Sequence, residues 1–142
     1  MTIKTKELSY KEKQELKREE ARKKLNGVKF VITDGKAKEM VLDLYQNIPE
    51  ACNGTGLECV SWSYAEDKFK FVFIDCEDGE KRYEVNLEQA INGFKLFCEE
   101  VYLGMLPGLN INMGNIFDAV EYDGYDIYTV IQFSIFEEAI YG

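Results

Sequence analysis

Alternating apolar and polar residues mark the middle of the chain as a β-sheet. Phe69, Phe71 and Phe73 occupy every second position of one segment, so they would share one face of a strand. Asp78-Gly79 has the composition of a two-residue hairpin turn. The pattern predicts a three-stranded antiparallel meander whose phenylalanine face meets helices, with strands over 58–64, 69–76 and 81–85.

The first helix is predicted from charge more than from apolar periodicity. Ser9 and Glu12 have the spacing of a capping box, and 10–25 consists of strong helix formers with Glu to Lys spacings of four. The few apolar residues make no sustained seam, so we expect a mobile or lightly docked arm rather than a coiled coil. Asn26-Gly27 ends the helix and divides the chain into a charged helical arm, 1–27, and a single domain, 28–142.

Three more helices are predicted within the domain. A short strand at 28–33 precedes the first of them, whose apolar residues between 37 and 48 fall on one helical face. Asn86 has capping-box spacing with Gln89 ahead of the second. The third, over 127–141 with Asp126 as its cap, is apolar around most of its circumference, so this chain or a second copy must cover it.

These elements define the expected fold class. It is α+β, with a three- to four-stranded antiparallel sheet packed against about three helices and preceded by the charged N-terminal helix.

Charge is distributed unevenly along the chain. The net charge of −9 divides into +5 for residues 1–29 and −14 for residues 30–142. Lys95 is the last basic residue, and eight carboxylates follow it. A negative field of this kind repels nucleic-acid phosphates and attracts cationic protein surfaces, although acidic surfaces also serve solubility alone.

The residue inventory excludes several kinds of chemistry. The sequence has no histidine, which removes Ser-His-Asp triads, Cys-His pairs and histidine metal sites. Its four cysteines follow no disulfide or zinc spacing, and no secretion leader is visible. Charges or turn residues interrupt every apolar run before the roughly 18 residues of a membrane span. We expect a non-enzymatic, reduced cytoplasmic protein without a cofactor.

One stretch of the tail combines carboxylates with tyrosines. Four acids offer the oxygen ligands that hard cations prefer, but their order does not match an EF-hand, so they are weak Mg²⁺ or Ca²⁺ candidates: Asp118, Glu121, Asp123 and Asp126. Tyr122 and Tyr125 lie among them, and Glu137 and Glu138 extend the acidic strip. These eight residues are the predicted partner-binding surface, because basic protein surfaces suit carboxylates and aromatic faces. The alternative is that the tyrosines complete the core.

Four short segments carry a resemblance to a known group of proteins. They are Glu50 to Gly56, Cys59-Val60-Ser61-Trp62 and, within the stretch Tyr122 to Gly142, above all Val130-Ile131-Gln132-Phe133 and Ile140-Tyr141-Gly142. In these the chain resembles small uncharacterised proteins of bacteriophages and prophages. The resemblance implies a phage accessory gene, many of which inhibit or redirect host machinery, and it carries over no functional residue.

The sequence thus leads to one hypothesis with two alternatives. The leading one is an acidic, phage-encoded inhibitor that binds a basic surface of a host defence or nucleic-acid-handling protein in the host cytoplasm, without binding nucleic acid directly. The first alternative is a small enzyme or ligand-binding protein with a carboxylate-held Mg²⁺ or Ca²⁺. The second is a homo-oligomeric structural protein whose last helix is covered by a neighbouring subunit.

Overall fold

Four helices of 12 to 16 residues surround a small antiparallel sheet in the computed structural model, which describes residues 9–25, 30–52 and 55–141. The elements in chain order are α1 (Tyr10–Lys24), α2 (Asp34–Tyr45), the one-turn α3 (Ile48–Ala51), β1 (Leu57–Ser63), β2 (Lys70–Asp75), β3 (Lys81–Asn86), α4 (Leu87–Tyr102) and α5 (Gly124–Phe136). The strand order is β1-β2-β3. The predicted α+β class, the meander and the N-terminal helix are therefore confirmed.

The predicted strand at 28–33 is wrong for the residues that the structure describes. Residues 30–33 have no regular secondary structure, and 28 and 29 lie outside the described ranges. Thr33 instead caps α2, because its side chain accepts a hydrogen bond from the Lys36 backbone N–H at 3.2 Å. Ile32 is buried in the core, and the partly buried Phe30 packs against the core beside it. The described sheet has three strands, the lower number of the predicted three to four.

The phenylalanine face of β2 forms the centre of the core. Phe71 and Phe73 are fully buried, and Phe69 is nearly so. Tyr45 from α2 packs on this face, with its ring centroid 4.9 Å from that of Phe71 and 5.2 Å from that of Phe69. The predicted packing of this face against helices is confirmed.

The last helix lies inside the domain. Every residue of α5 from Asp126 to Ser134 is buried, and the helix packs on α4, α3 and β3 of the same chain. Asp123, rather than the predicted Asp126, is its N-cap: the two residues exchange hydrogen bonds in a capping box. The chain itself supplies the cover that an apolar helix requires, so α5 gives no reason to invoke a second copy. None of the helices in the described ranges is long and apolar enough to cross a membrane.

Two helices approach unusually closely where α4 meets α5. A Cβ atom on Gly93 would lie 2.5 Å from Ser134 Cα, 2.6 Å from Ser134 N and 2.8 Å from Phe133 C. These are backbone atoms, which cannot rotate away as a flexible side chain would. Glycine is therefore required at position 93 for α5 to occupy its place.

We expect Gly93→Ala to lower the free energy of unfolding by about 3 kcal/mol, because the two helix backbones must separate to admit a methyl group. The control is Gly35→Ala in α2, where an added Cβ has no neighbour within 4 Å. This change should raise stability by about 0.5 kcal/mol through helix propensity. Urea unfolding followed by circular dichroism measures both, and similar effects of the two substitutions would contradict the close-contact argument.

Candidate functional site

The candidate surface is built by the segment that leads into α5. Exposed carboxylates and exposed apolar side chains alternate there within nine residues, and we name these six the acidic loop surface: Phe117, Asp118, Val120, Glu121, Asp123 and Tyr125. Val120 is 90% exposed, Tyr125 43% and Phe117 41%. Among the described residues, none of its three carboxylates makes an ion pair within 4 Å. The surface therefore presents unpaired negative charge beside apolar area.

One buried carboxylate holds this loop in place. Asp126 accepts hydrogen bonds from the backbone N–H groups of Asn110 and Asp123, both at 2.9 Å. The Asn110 side-chain amide also donates to the carbonyl oxygen of Glu121 at 3.1 Å. Burial raises the pKa of Asp126, while the two backbone N–H groups act to lower it. The exposed acids thus project from a loop that is tied down at three points before any partner arrives.

Three of the eight predicted binding residues are buried. Tyr122 donates its hydroxyl to the carbonyl oxygen of Ile116 at 2.6 Å, so it completes the core, as the alternative interpretation held. Asp126 is the structural anchor just described, and Glu138 is only 6% exposed. These three can support a binding surface but do not form part of its exposed area.

A fourth predicted residue, Glu137, is exposed but paired with α1. Its carboxylate lies 2.9 Å from the Lys11 Nζ. It also does not lie within the helix, because it has left-handed backbone conformation and ends α5. The predicted surface is thereby reduced to Asp118, Glu121, Asp123 and Tyr125, to which the structure adds Phe117 and Val120.

Helix α1 forms ion pairs with three of the tail's other four acids. Arg18 is 4% exposed and pairs its Nε with the Glu100 carboxylate at 2.9 Å, and Glu100 is fully buried. A second guanidinium of α1, on Arg22, pairs with Glu99. The eight carboxylates after Lys95 therefore form two groups of four. In one group, Glu99, Glu100 and Glu137 pair with cations of α1 and Glu138 lies beside them; the other group lies in or under the acidic loop surface.

The α1 contact contains one unsatisfied acid. Glu138 Oε2 is buried and has no hydrogen-bond partner among the described residues. Burial raises the pKa of both Glu138 and Glu100, while the charge of Arg18 lowers it in both cases. The buried ion pair of Arg18 and Glu100 thus attaches the predicted arm to the rest of the chain. The division of the chain at residue 27 remains a prediction.

The weak metal candidates do not converge. In the described ranges, no three Asp, Glu, Cys or His side chains are arranged to hold a metal ion. Asp123 and Asp126 are both engaged in the capping box. The geometry therefore gives no support to the Mg²⁺ or Ca²⁺ alternative.

All four cysteines are free thiols. Burial raises the pKa of Cys52 to about 12 and that of Cys59 to about 11. The thiolate is the nucleophilic form of cysteine, so neither residue is activated at neutral pH.

Comparisons with known proteins identify no relative. No protein-family model matches the chain, and no curated protein and no solved structure gives a significant match.

Sequence reasoning missed two parts of this region. Phe117 and Val120 were not recognised, although an apolar residue within a Gly- and Asn-rich loop is a signal that could have been weighed. The pairing of Arg18 with Glu100 joins positions 82 residues apart, and no local pattern reports it.

We expect Arg18→Met to lower the free energy of unfolding by about 3 kcal/mol at pH 8, because it leaves the buried Glu100 carboxylate without its cation. The variant's Glu100 has a folded-state pKa raised above the unfolded value. The stability that the variant gains from protonated Glu100 is present at low pH and is lost as the pH rises through the folded-state pKa. The difference in unfolding free energy between wild type and variant should therefore shrink toward pH 5.

The control is Lys11→Met, which removes an exposed ion pair and should change stability by less than about 0.5 kcal/mol. Urea unfolding at both pH values measures these effects. An Arg18→Met deficit that does not change with pH would show that Glu100 is not its source.

Proposed function

We propose that the protein is a non-enzymatic binding protein whose acidic loop surface docks onto a basic patch of a host protein. The observation that carries this proposal is the set of three exposed carboxylates, without an ion pair among the described residues, interleaved with three exposed apolar side chains on one anchored loop. The resemblance to phage accessory proteins adds the expectation that such docking inhibits the host protein.

Charge and apolar area have separate parts in such an interface. Carboxylates steer a basic partner toward the surface and fix its register, whereas aromatic and aliphatic groups supply area that leaves water on contact. Asp118, Glu121 and Asp123 fit the first part, and Phe117, Val120 and Tyr125 fit the second. One cation does lie beside this surface: the Lys36 Nζ is 5.7 Å from the Phe117 ring centroid. Lys36 also pairs with Glu39.

The hydrogen bonds of the loop favour binding over a purely solvating surface. Ordering a loop on association costs free energy, and a loop that is already held avoids much of this cost. The bonds from Asp126 and Asn110 hold the acidic loop surface in this way. A solvating acidic surface would not require such anchoring.

The test is capture of a partner from bacterial host lysate by immobilised protein. We expect a specific partner that is retained at about 0.05 M salt and released at about 0.5 M, because screening weakens exposed charge interactions. The triple variant Asp118→Asn/Glu121→Gln/Asp123→Asn should weaken binding about tenfold, as three exposed pairs of about 0.5 kcal/mol each would give. Asparagine still caps at 118 and 123, so the loop is retained.

The matched control is Glu19→Gln/Glu20→Gln/Glu58→Gln, which removes the same charge from exposed positions outside the loop. It should leave capture unchanged. Equal losses from the two triple variants would assign the effect to net charge and contradict a defined docking surface.

A further inference from the structure

A cavity of about 430 Å³ opens between the hairpin end of the sheet and the first turns of α5. Sequence analysis did not anticipate it, because its walls come from four separate parts of the chain. The lining residues are Thr55, Gly56, Glu77, Tyr125, Tyr128 and Tyr141. Three tyrosines and one carboxylate thus surround a single space, and Tyr125 also belongs to the acidic loop surface.

The walls of this cavity are fixed by hydrogen bonds to a buried carboxylate. Asp75, at the end of β2, accepts a hydrogen bond from the Tyr141 hydroxyl at 2.8 Å and another from the Glu77 backbone N–H at 3.0 Å. Asp75 is 1% exposed, and both of these hydrogen bonds are partly buried. The Tyr141 ring and the Glu77 backbone are therefore held in position before a ligand enters.

A glycine keeps the floor of the cavity open. A Cβ on Gly56 would lie 2.9 Å from Glu77 Cγ, 3.2 Å from the Tyr128 hydroxyl oxygen and 3.4 Å from Glu77 Oε1. The Tyr128 hydroxyl and the Glu77 carboxylate thus approach the same point from different sides. Two hydrogen-bond acceptors converge where a side chain is missing.

The electrostatic field in the cavity is negative. Asp75, Glu77 and Asp78 lie together at the hairpin, and none of them makes an ion pair within 4 Å among the described residues. Lys81, opposite Asp75 on β3, places its Nζ 5.5 Å from the Tyr83 ring centroid instead. The pKa of Tyr128 and of Tyr141 is raised, first by burial and then by these carboxylates.

We propose that this cavity binds a guanidinium group, supplied by an arginine side chain of the partner. Aromatic faces attract cations, and a planar guanidinium both stacks on tyrosine and donates several hydrogen bonds in a fork that matches a carboxylate. A quaternary ammonium has no N–H group to donate to the Glu77 carboxylate, whereas a guanidinium has several. The assignment of the arginine to a protein partner rests on the function proposed above, whereas the preference for guanidinium rests on the cavity alone.

The experiment titrates the full-length protein with N-acetyl-arginine methylamide, which mimics an arginine within a protein, and follows backbone amide NMR shifts. We expect saturable shifts centred on Glu77, Tyr125, Tyr128 and Tyr141. The neutral isostere N-acetyl-citrulline methylamide should bind at least about tenfold more weakly, because it loses both the cation–π attraction and the charge-assisted hydrogen bonds. Equal binding of the two compounds, or no saturable shift with either, would overturn the proposal.

Two substitutions with matched controls locate the site. Tyr125→Ala and Glu77→Gln should each weaken probe binding about fivefold, since one removes a ring face and the other a charge. Tyr64→Ala and Glu58→Gln, at exposed positions on and beside β1, should leave it unchanged within twofold. Circular dichroism confirms that each variant is folded, and equal losses in the controls would refute the assignment to this cavity.

Titration with free arginine distinguishes the two sources of a guanidinium. Binding of the capped probe at least as tightly as free arginine supports a protein partner, whereas much tighter binding of free arginine would replace that source with a small guanidino compound. Failure of the probe to bind, with partner capture still sensitive to the acidic loop triple variant, would remove this inference alone. Probe binding without any captured partner would instead remove only the proposed function.

Discussion

The contact between α4 and α5 at Gly93 is the constraint on which the other features depend. Because no Cβ separates the two backbones there, α5 can lie inside the domain with nine consecutive residues buried. That position fixes the N-terminus of α5, and with it the capping box of Asp123 and Asp126. The acidic loop surface ends on this box, and Tyr128 of the same helix forms one wall of the cavity. A looser α4–α5 contact would leave both the acidic loop surface and the cavity less well defined.

The buried pair of Arg18 and Glu100 is a second constraint, and it decides what the net charge means. Glu100 is fully buried, and α1, from the strongly basic N-terminal part of the chain, provides the Arg18 guanidinium that pairs with it. The positive arm and part of the negative tail therefore cancel locally. Among the described residues, the exposed acids of the acidic loop surface and the acids of the hairpin are not cancelled in this way.

Sequence reasoning succeeded where the physics is local. The alternation of Phe69, Phe71 and Phe73 determines which face of β2 is buried, and the capping box of Asn86 with Gln89 starts α4 as predicted. It failed where one segment has two local solutions: residues 30–33 have strand composition, but Thr33 is needed as a helix cap. It also failed for Tyr122, Asp126 and Glu138, because the burial of a polar residue depends on elements far away in sequence. The cavity could not be inferred for the same reason, since Gly56, Glu77 and Tyr141 meet only after folding.

Tyr125 joins the two proposed binding features into one argument about recognition. It lies in the first turn of α5, half-exposed, where it borders both the acidic loop surface and the cavity. Exposed carboxylates act over about one Debye length and govern how a basic partner approaches, whereas the tyrosine-lined cavity acts only on contact and governs how slowly the partner leaves. A partner that offers an arginine within a wider basic patch would satisfy both requirements. A partner with scattered lysines would satisfy only the first, because an ammonium lacks the planar face and the forked donors that the ring walls and Glu77 can accept.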